Sequence, residues 1–404
     1  MSLPWRMLTR RGRERELDHQ ARFAESRSRA LKGIIDPYNN TLHHNNMLIE
    51  SDSYHDLGIV CRDLVIDTDG SYTDVPKPAF FDPLAVSQIP TINTESDATR
   101  ISLEDIMTIR KWRKTNPQYR SLSRQTRALG FEIGAAFRYH KRDEGRRKDR
   151  SLASIANYSQ GGDISPDIIA EEYDPVIWQS LWWHPDAAFC QKTYLNLPHT
   201  MIVLQMTVEL DDRIFQVEVL TALTIMLTLL EGDRFELHNT VPVMVISVMG
   251  RMQVRVLQFH YSREGLVVTK TRFMSFATDE STTIGLGVLM GLMSSKTSGN
   301  TKDPSNIWKP VSPPTTPTQA SSEPPVVDPN LTASRRILQA LHVGKYSSRA
   351  KRSRSKTHGI PDFDPQPPNQ ISAPTHKAQE DTKEQKPPGS HFAYPEQLFT
   401  GPPD

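Results

Sequence analysis

Val241-Pro-Val-Met-Val-Ile-Ser-Val-Met249 is an apolar run with only Pro242 and Ser247 interrupting it, the pattern of a strand buried on both faces. Outward from it, Gln253 to Tyr261 and Leu266 to Phe276 are rich in Val, Phe and Tyr. They are separated by turn signals at Gly250-Arg251 and Ser262-Arg-Glu-Gly265, which predicts two further strands. Upstream, Met201 to Leu210 alternates, with Ile202, Leu204, Met206, Val208 and Leu210 on one face. Asp211-Asp212 is expected to turn it into a hairpin with Arg213 to Val219. Downstream, Ile284 to Met293 reads as a closing helix despite its glycines. The sum is an α+β domain, a mainly antiparallel sheet of about five strands with helices on one face.

Upstream of the sheet the period changes. Leu103, Ile106, Ile109 and Trp112 or Arg113 recur at helical spacing behind Ser102, whose hydroxyl is placed to cap the amide of Asp105. Asn116-Pro117 should stop that helix. A second helix is expected from about Ser123 to Leu129 and a third from Glu132 to Lys141, with Gly130 as the turn between them. This is the outline of a helix-turn-helix. Leu122, Leu129, Phe131, Ile133, Ala136 and Phe137 would face inward. Arg124, Arg127, Arg138, Lys141 and Arg142 would face outward, toward the phosphates of RNA or DNA.

Five regions follow. Residues 1–95 are polar and partly disordered, with an exposed, ion-paired amphipathic helix expected over Arg10 to Arg29. Residues 96–145 form the basic helical module, 146–175 a linker, 176–296 the α+β domain and 297–404 a disordered Pro/Ser-rich tail. In the tail, Ala333 to His342 has the makings of a short helix, and Ser312-Pro and Thr316-Pro are phosphorylation candidates. The run Arg349-Ala-Lys351-Arg352-Ser-Arg354-Ser-Lys356 is a nuclear-import candidate.

Composition narrows the function. Net charge is +1 over 404 residues, so any attraction for polyanions must come from local patches. Two cysteines, Cys61 and Cys190, far apart, argue against a disulfide framework and a thiolate zinc site, and fit a reducing compartment. Val219 to Leu230, the longest uncharged apolar run, is about half the ~20 residues a bilayer span needs, so it reads as a buried element and no membrane partner is expected. The basic, acid-free start leaves a mitochondrial presequence as an alternative to the nucleus or cytoplasm.

Catalytic signals are thin. Gly285-x-Gly287-x-x-Met290 lacks the third glycine of a dinucleotide loop, and neither a nucleophile elbow nor a phosphate-loop lysine motif occurs. No cofactor is expected, and adjacent His43-His44 lack a third metal ligand at fixed spacing. His184, Cys190 and His199 have the residue types of a nucleophile site, but spacing alone does not bring them together. A metal-dependent nuclease would use Asp211 or Asp212 with Glu218, yet Leu220 stands where its lysine should be.

Ser102-Leu-Glu-Asp-Ile-Met-Thr-Ile-Arg-Lys-Trp-Arg-Lys-Thr-Asn-Pro117, followed by Ser121 and Leu129-Gly130, resembles the core of a fungal large-subunit mitochondrial ribosomal protein. That family has a similar acidic-Ile, Ile-Arg-x-x-Arg, Asp-Pro, Phe-Gly pattern before a basic helix. The resemblance covers about forty residues and departs from the pattern at Arg120 and Thr126. It implies a module seated on ribosomal RNA and neighbouring proteins, with Arg110, Arg113 and Arg124 as the positions carried over. Pro242 to Gly250 with Val254 to Gln258 resembles uncharacterised fungal proteins, which implies a lineage and no activity. The expectation is therefore a non-catalytic, nucleic-acid-associated protein whose sheet domain binds a protein partner. A structural or regulatory interaction protein is the alternative, and a nuclease-like domain the third reading.

Overall fold

The computed structural model describes residues 5–74, 77–145, 147–160, 164–178, 180 and 182–307. At its centre is an eight-stranded mixed sheet. Its strands are β1 (Ile59–Asp63), β2 (Tyr158–Gln160), β3 (Trp183–Gln191), β4 (Thr200–Met206), β5 (Val243–Met249), β6 (Gln253–Ser262), β7 (Gly265–Lys270) and β8 (Met274–Ser275). The spatial order is β1-β7-β6-β5-β4-β3-β2, with β8 pairing the start of β6. Five helices matter here: α1 (Trp5–Leu42), α2 (Asp97–Thr115), α3 (Leu122–Arg138), α4 (Gln216–Glu231) and α5 (Asp279–Met293).

The architecture is α+β, and the sheet is larger and less antiparallel than the turn signals predict. β4 pairs β5 in parallel and β7 pairs β1 in parallel. Parallel neighbours need a crossover, and α4 is the crossover between β4 and β5. This overturns the hairpin expected at Asp211-Asp212. Ile214–Phe215 adds only a two-residue strand against Leu48–Ile49, and the chain then coils into α4. Alternation over six residues loses to the sixteen that follow, which are buried nearly all round in the manner of a core helix.

Helices cover both faces, not one. Along β5, Val243 and Val245 pack with α1 and α4, while Met244, Ile246 and Val248 pack with α3 and α5. The strand is therefore buried throughout, as its unbroken apolar run predicts. The second half of α1 is no solvated helix: Ser26, Ala30 and Ile34 are buried and lie on the α4 side of the sheet. Arg27 donates to the carbonyls of Leu230, Gly232, Phe235 and His238, where α4 ends, and so caps its C-terminus from outside. Gly33 gives α1 its closest approach, since a Cβ there would lie 1.9 Å from the Tyr261 hydroxyl.

The region boundaries shift accordingly. β1 comes from the polar N-terminal region and β2 from the expected linker, so positions 95 and 175 fall inside one compact unit. Lys141–Glu144 and Arg147–Ser151 form a hairpin where the third helix and the linker were expected to meet. Residues 295–307 belong to the fold and not to the tail: Lys296–Thr297 pairs with Phe81–Asp82, and the Thr301 hydroxyl meets His238 Nδ1 at 2.7 Å. The tail motifs, including Arg349, Lys351, Arg352, Arg354 and Lys356, lie outside the described residues.

Candidate nucleic-acid interface

Residues 106–131 contain seven Lys or Arg and no Asp or Glu, and they fold into a sharp corner. α2 starts at Asp97 behind Ser96, so Ser102 is an interior, buried position and not the cap. Asn116 ends α2 as expected. Its amide bonds the carbonyl of Trp112 at 2.7 Å, and its side chain accepts from Gln118 N at 2.9 Å to start a single 3-10 turn, Pro117–Arg120. Ser121 then caps α3 through Arg124 N at 3.4 Å.

α3 runs unbroken through Gly130. The helix-turn-helix with a turn at that glycine is therefore replaced by two helices joined at residues 116–121. Gly130 is small for a packing reason, because a Cβ there would meet Gln205 Nε2 at 2.6 Å. Thr126, Ala128 to Gly130 and Glu132 to Phe137 are buried, so this helix is committed to the sheet.

The seven cations expected at the interface separate into two groups. Arg110 is ion-paired to the buried Glu132 and ties α2 to α3. Arg113 is half-buried with its guanidinium on Met252 Sδ at 3.6 Å, and burial pulls its pKa down. Arg142 is buried in the 141–151 hairpin, donating to the Pro90 carbonyl at 3.2 Å, and burial lowers its pKa to about 10. Arg138 lies 5.3 Å from the Tyr139 ring and 5.6 Å from that of Phe189, and Lys141 is half-buried in the same hairpin. Arg124 and Arg127 remain exposed.

Sequence reasoning missed what surrounds Arg124. Its guanidinium sits 6.0 Å from the Tyr119 ring centroid and donates to Gln118 Oε1 at 2.6 Å. The Tyr119 ring is 6.4 Å from that of Trp112, which is 50% exposed. Lys111 and Arg120 are exposed beside them, whereas Lys114 reaches Asp279 on α5 at 3.0 Å. The signal was present as aromatic residues interleaved with cations, but the outline of a groove-reading helix drew attention to α3 instead.

The nuclease residues are placed otherwise. Glu218 is in the first turn of α4, fully buried, and both its oxygens are engaged. Oε1 accepts from Arg255 Nε at 3.0 Å and from the Ser247 hydroxyl, while Oε2 accepts from Phe215 N at 2.8 Å and from Arg255 Nη2. No lone pair is left facing solvent to ligate a metal. Among the described residues no three His, Cys, Asp or Glu side chains come together as a metal site.

Cys190 is buried against the Thr200 hydroxyl at 3.8 Å and burial raises its thiol pKa. His199 is buried against Phe80 and Phe81, with its pKa pushed by burial to about 4. A protonated thiol and a neutral, enclosed imidazole are not an activated pair. No helix of the described residues is long and apolar enough to cross a membrane. Comparison of the chain with protein-family models, with characterised proteins and with solved structures finds no match to any of them.

Proposed function

We propose that the protein is a non-catalytic, nucleic-acid-associated protein that holds single-stranded RNA or DNA at the corner between α2 and α3. The observation that carries this reading is the acid-free run 106–131, folded so that the exposed Trp112 ring and the Arg124 guanidinium both meet Tyr119, with Arg120 exposed next to it in the chain. Exposed aromatic faces stack bases, and neighbouring cations follow the phosphates. Glu132 to Phe137 of α3 are buried, so that half of the helix has no face to offer a duplex groove, which favours a single strand.

The test is fluorescence anisotropy with a short labelled oligonucleotide. Binding should weaken steeply between 50 and 200 mM salt, as phosphate contacts require. Replacing Trp112 with Ala should cost about 1–3 kcal/mol, the worth of one stacked base, and Arg120→Ala with Arg124→Ala should flatten the salt slope. No binding at low salt, or binding indifferent to all three changes, overturns the proposal. A second reading has its own observation: Ile101 and Met107 are exposed on α2 together with Trp112, an apolar set that suits a protein partner. Capture there would be insensitive to salt and lost in Met107→Asp.

A further inference from the structure

On the face of the sheet that carries α1 and α4, a cleft of about 530 Å³ opens. β1 and β7 are parallel there, and their last residues, Asp63 and Lys270, are register partners at its wall. The opposite wall is the connection from β4 to α4, with Asp211, Asp212 and Arg213. Clefts outside the carboxyl ends of parallel strands are the usual ligand sites of such sheets, and this volume is within the range of small-molecule sites.

The wall formed by residues 211–213 is held rigidly. Arg255, fully buried, donates to the carbonyls of Asp211 at 3.2 Å, Asp212 at 3.1 Å and Arg213 at 2.8 Å, and is itself fixed by Glu218. A buried ion pair is an expensive way to stabilise a loop. Here it sets the backbone of three residues whose side chains all line one cavity, the arrangement a preorganised site requires.

Charge accounting decides what the cleft accepts. Arg213 is shared by Asp211, through its Nε at 2.9 Å, and by Glu50. Lys270 gives its ammonium to Asp212, at 2.7 Å to the carbonyl and 2.8 Å to the carboxylate, and Arg62 pairs with Glu264. Every lining cation is therefore already matched. The exposed Asp63 carboxylate makes no hydrogen bond or ion pair among the described residues, and its register partner Lys270 bonds Asp212 instead. An arriving anion would have to break existing pairs, whereas an arriving cation meets an unmatched carboxylate.

We propose that this cleft is a binding site for a small organic cation bearing an amine or guanidinium group, with Asp63 as its counter-charge. The proposal does not depend on the α2–α3 corner. Titration calorimetry of the full chain with spermidine, and separately with arginine amide, at low salt should show saturable binding. Asp63→Asn should weaken it at least tenfold, while Arg120→Ala with Arg124→Ala should leave it unchanged. Because the Asp63 side chain bonds nothing among the described residues, the variant should melt where the parent does without ligand, which separates loss of binding from loss of structure. Absence of saturable heat, equal affinity in Asp63→Asn, or saturable binding of inorganic phosphate lost in Lys270→Gln would each overturn the proposal.

Discussion

Arg255 and Glu218 are both without solvent exposure, and their value lies in what removing one leaves behind. Glu218→Ala leaves a buried guanidinium with backbone carbonyls but no counter-charge, and releases Ser247 and Phe215 N as well. The expected loss is about 3–5 kcal/mol, read from the urea midpoint. Replacing Arg255 by Met together with Glu218 by Leu should recover most of that loss while loosening the 211–213 backbone. A single-variant loss below about 1 kcal/mol would show that water reaches the pair. Gly33 offers a second test at this scale. Gly33→Ala places a methyl group inside the Tyr261 ring, so α1 must lift or the ring must leave, and the thermal midpoint should fall well below that of an exposed Gly→Ala change. Neither role was legible in the sequence. Glu218 stood out only as a possible metal ligand, because nothing local says that an arginine thirty-seven positions later will reach it.

Elements were legible where period and boundaries agreed. β5 and β6 lie within a few residues of their expected limits and β7 starts at its own, because Gly250-Arg251 and Ser262 to Gly265 punctuate apolar runs whose partners are their neighbours in sequence; β7 ends at Lys270 and not at Phe276, and Met274–Ser275 pairs separately with the start of β6. α2 ends at Asn116-Pro117 and α5 closes the sheet, both for local reasons. The failures share one cause, which is that the deciding contact lay far away. β4 alternates as a hairpin strand does, but its neighbour on one side is β5, across a whole helix. Gly130 has the residue type of a turn, yet a strand side chain occupies the space. The same holds for the α2–α3 corner: its cations were visible, while the Trp112–Tyr119 pairing required knowing where the corner folds. α1 supplies the prediction at this scale. Arg27→Ala should expose the last carbonyls of α4 and cost about 1.5–3 kcal/mol, as for hydrogen bonds from a charged donor. Hydrogen exchange should quicken first at residues 228–238, and uniform quickening across the sheet would contradict a local capping role.

For the whole molecule, acidity is the most informative perturbation. His140, His199, His238 and His260 are all buried, and burial lowers each from its usual 6.5 to about 4. Between those values the unfolded chain binds protons that the folded chain refuses, so stability falls as pH drops from about 6.5 toward 4 and is fully present above that window. Urea midpoints at pH 7.5 and pH 5 should differ clearly, with the higher pH more stable, and equal midpoints would mean that these imidazoles are hydrated. His199, His238 and His260 sit where residues 77–82 and 296–307 close over the sheet, so acid should release that edge first.

The pairing of β1 with β7 also governs when this molecule can exist at all. The strand at residues 59–63 finds its sheet partner at 265–270, about 200 residues later, which a ribosome adding ~5–20 residues each second takes roughly 10–40 s to deliver. Throughout that interval the nascent chain carries an unclaimed strand. A strand made early is seated late, a delay written into the order of the strands.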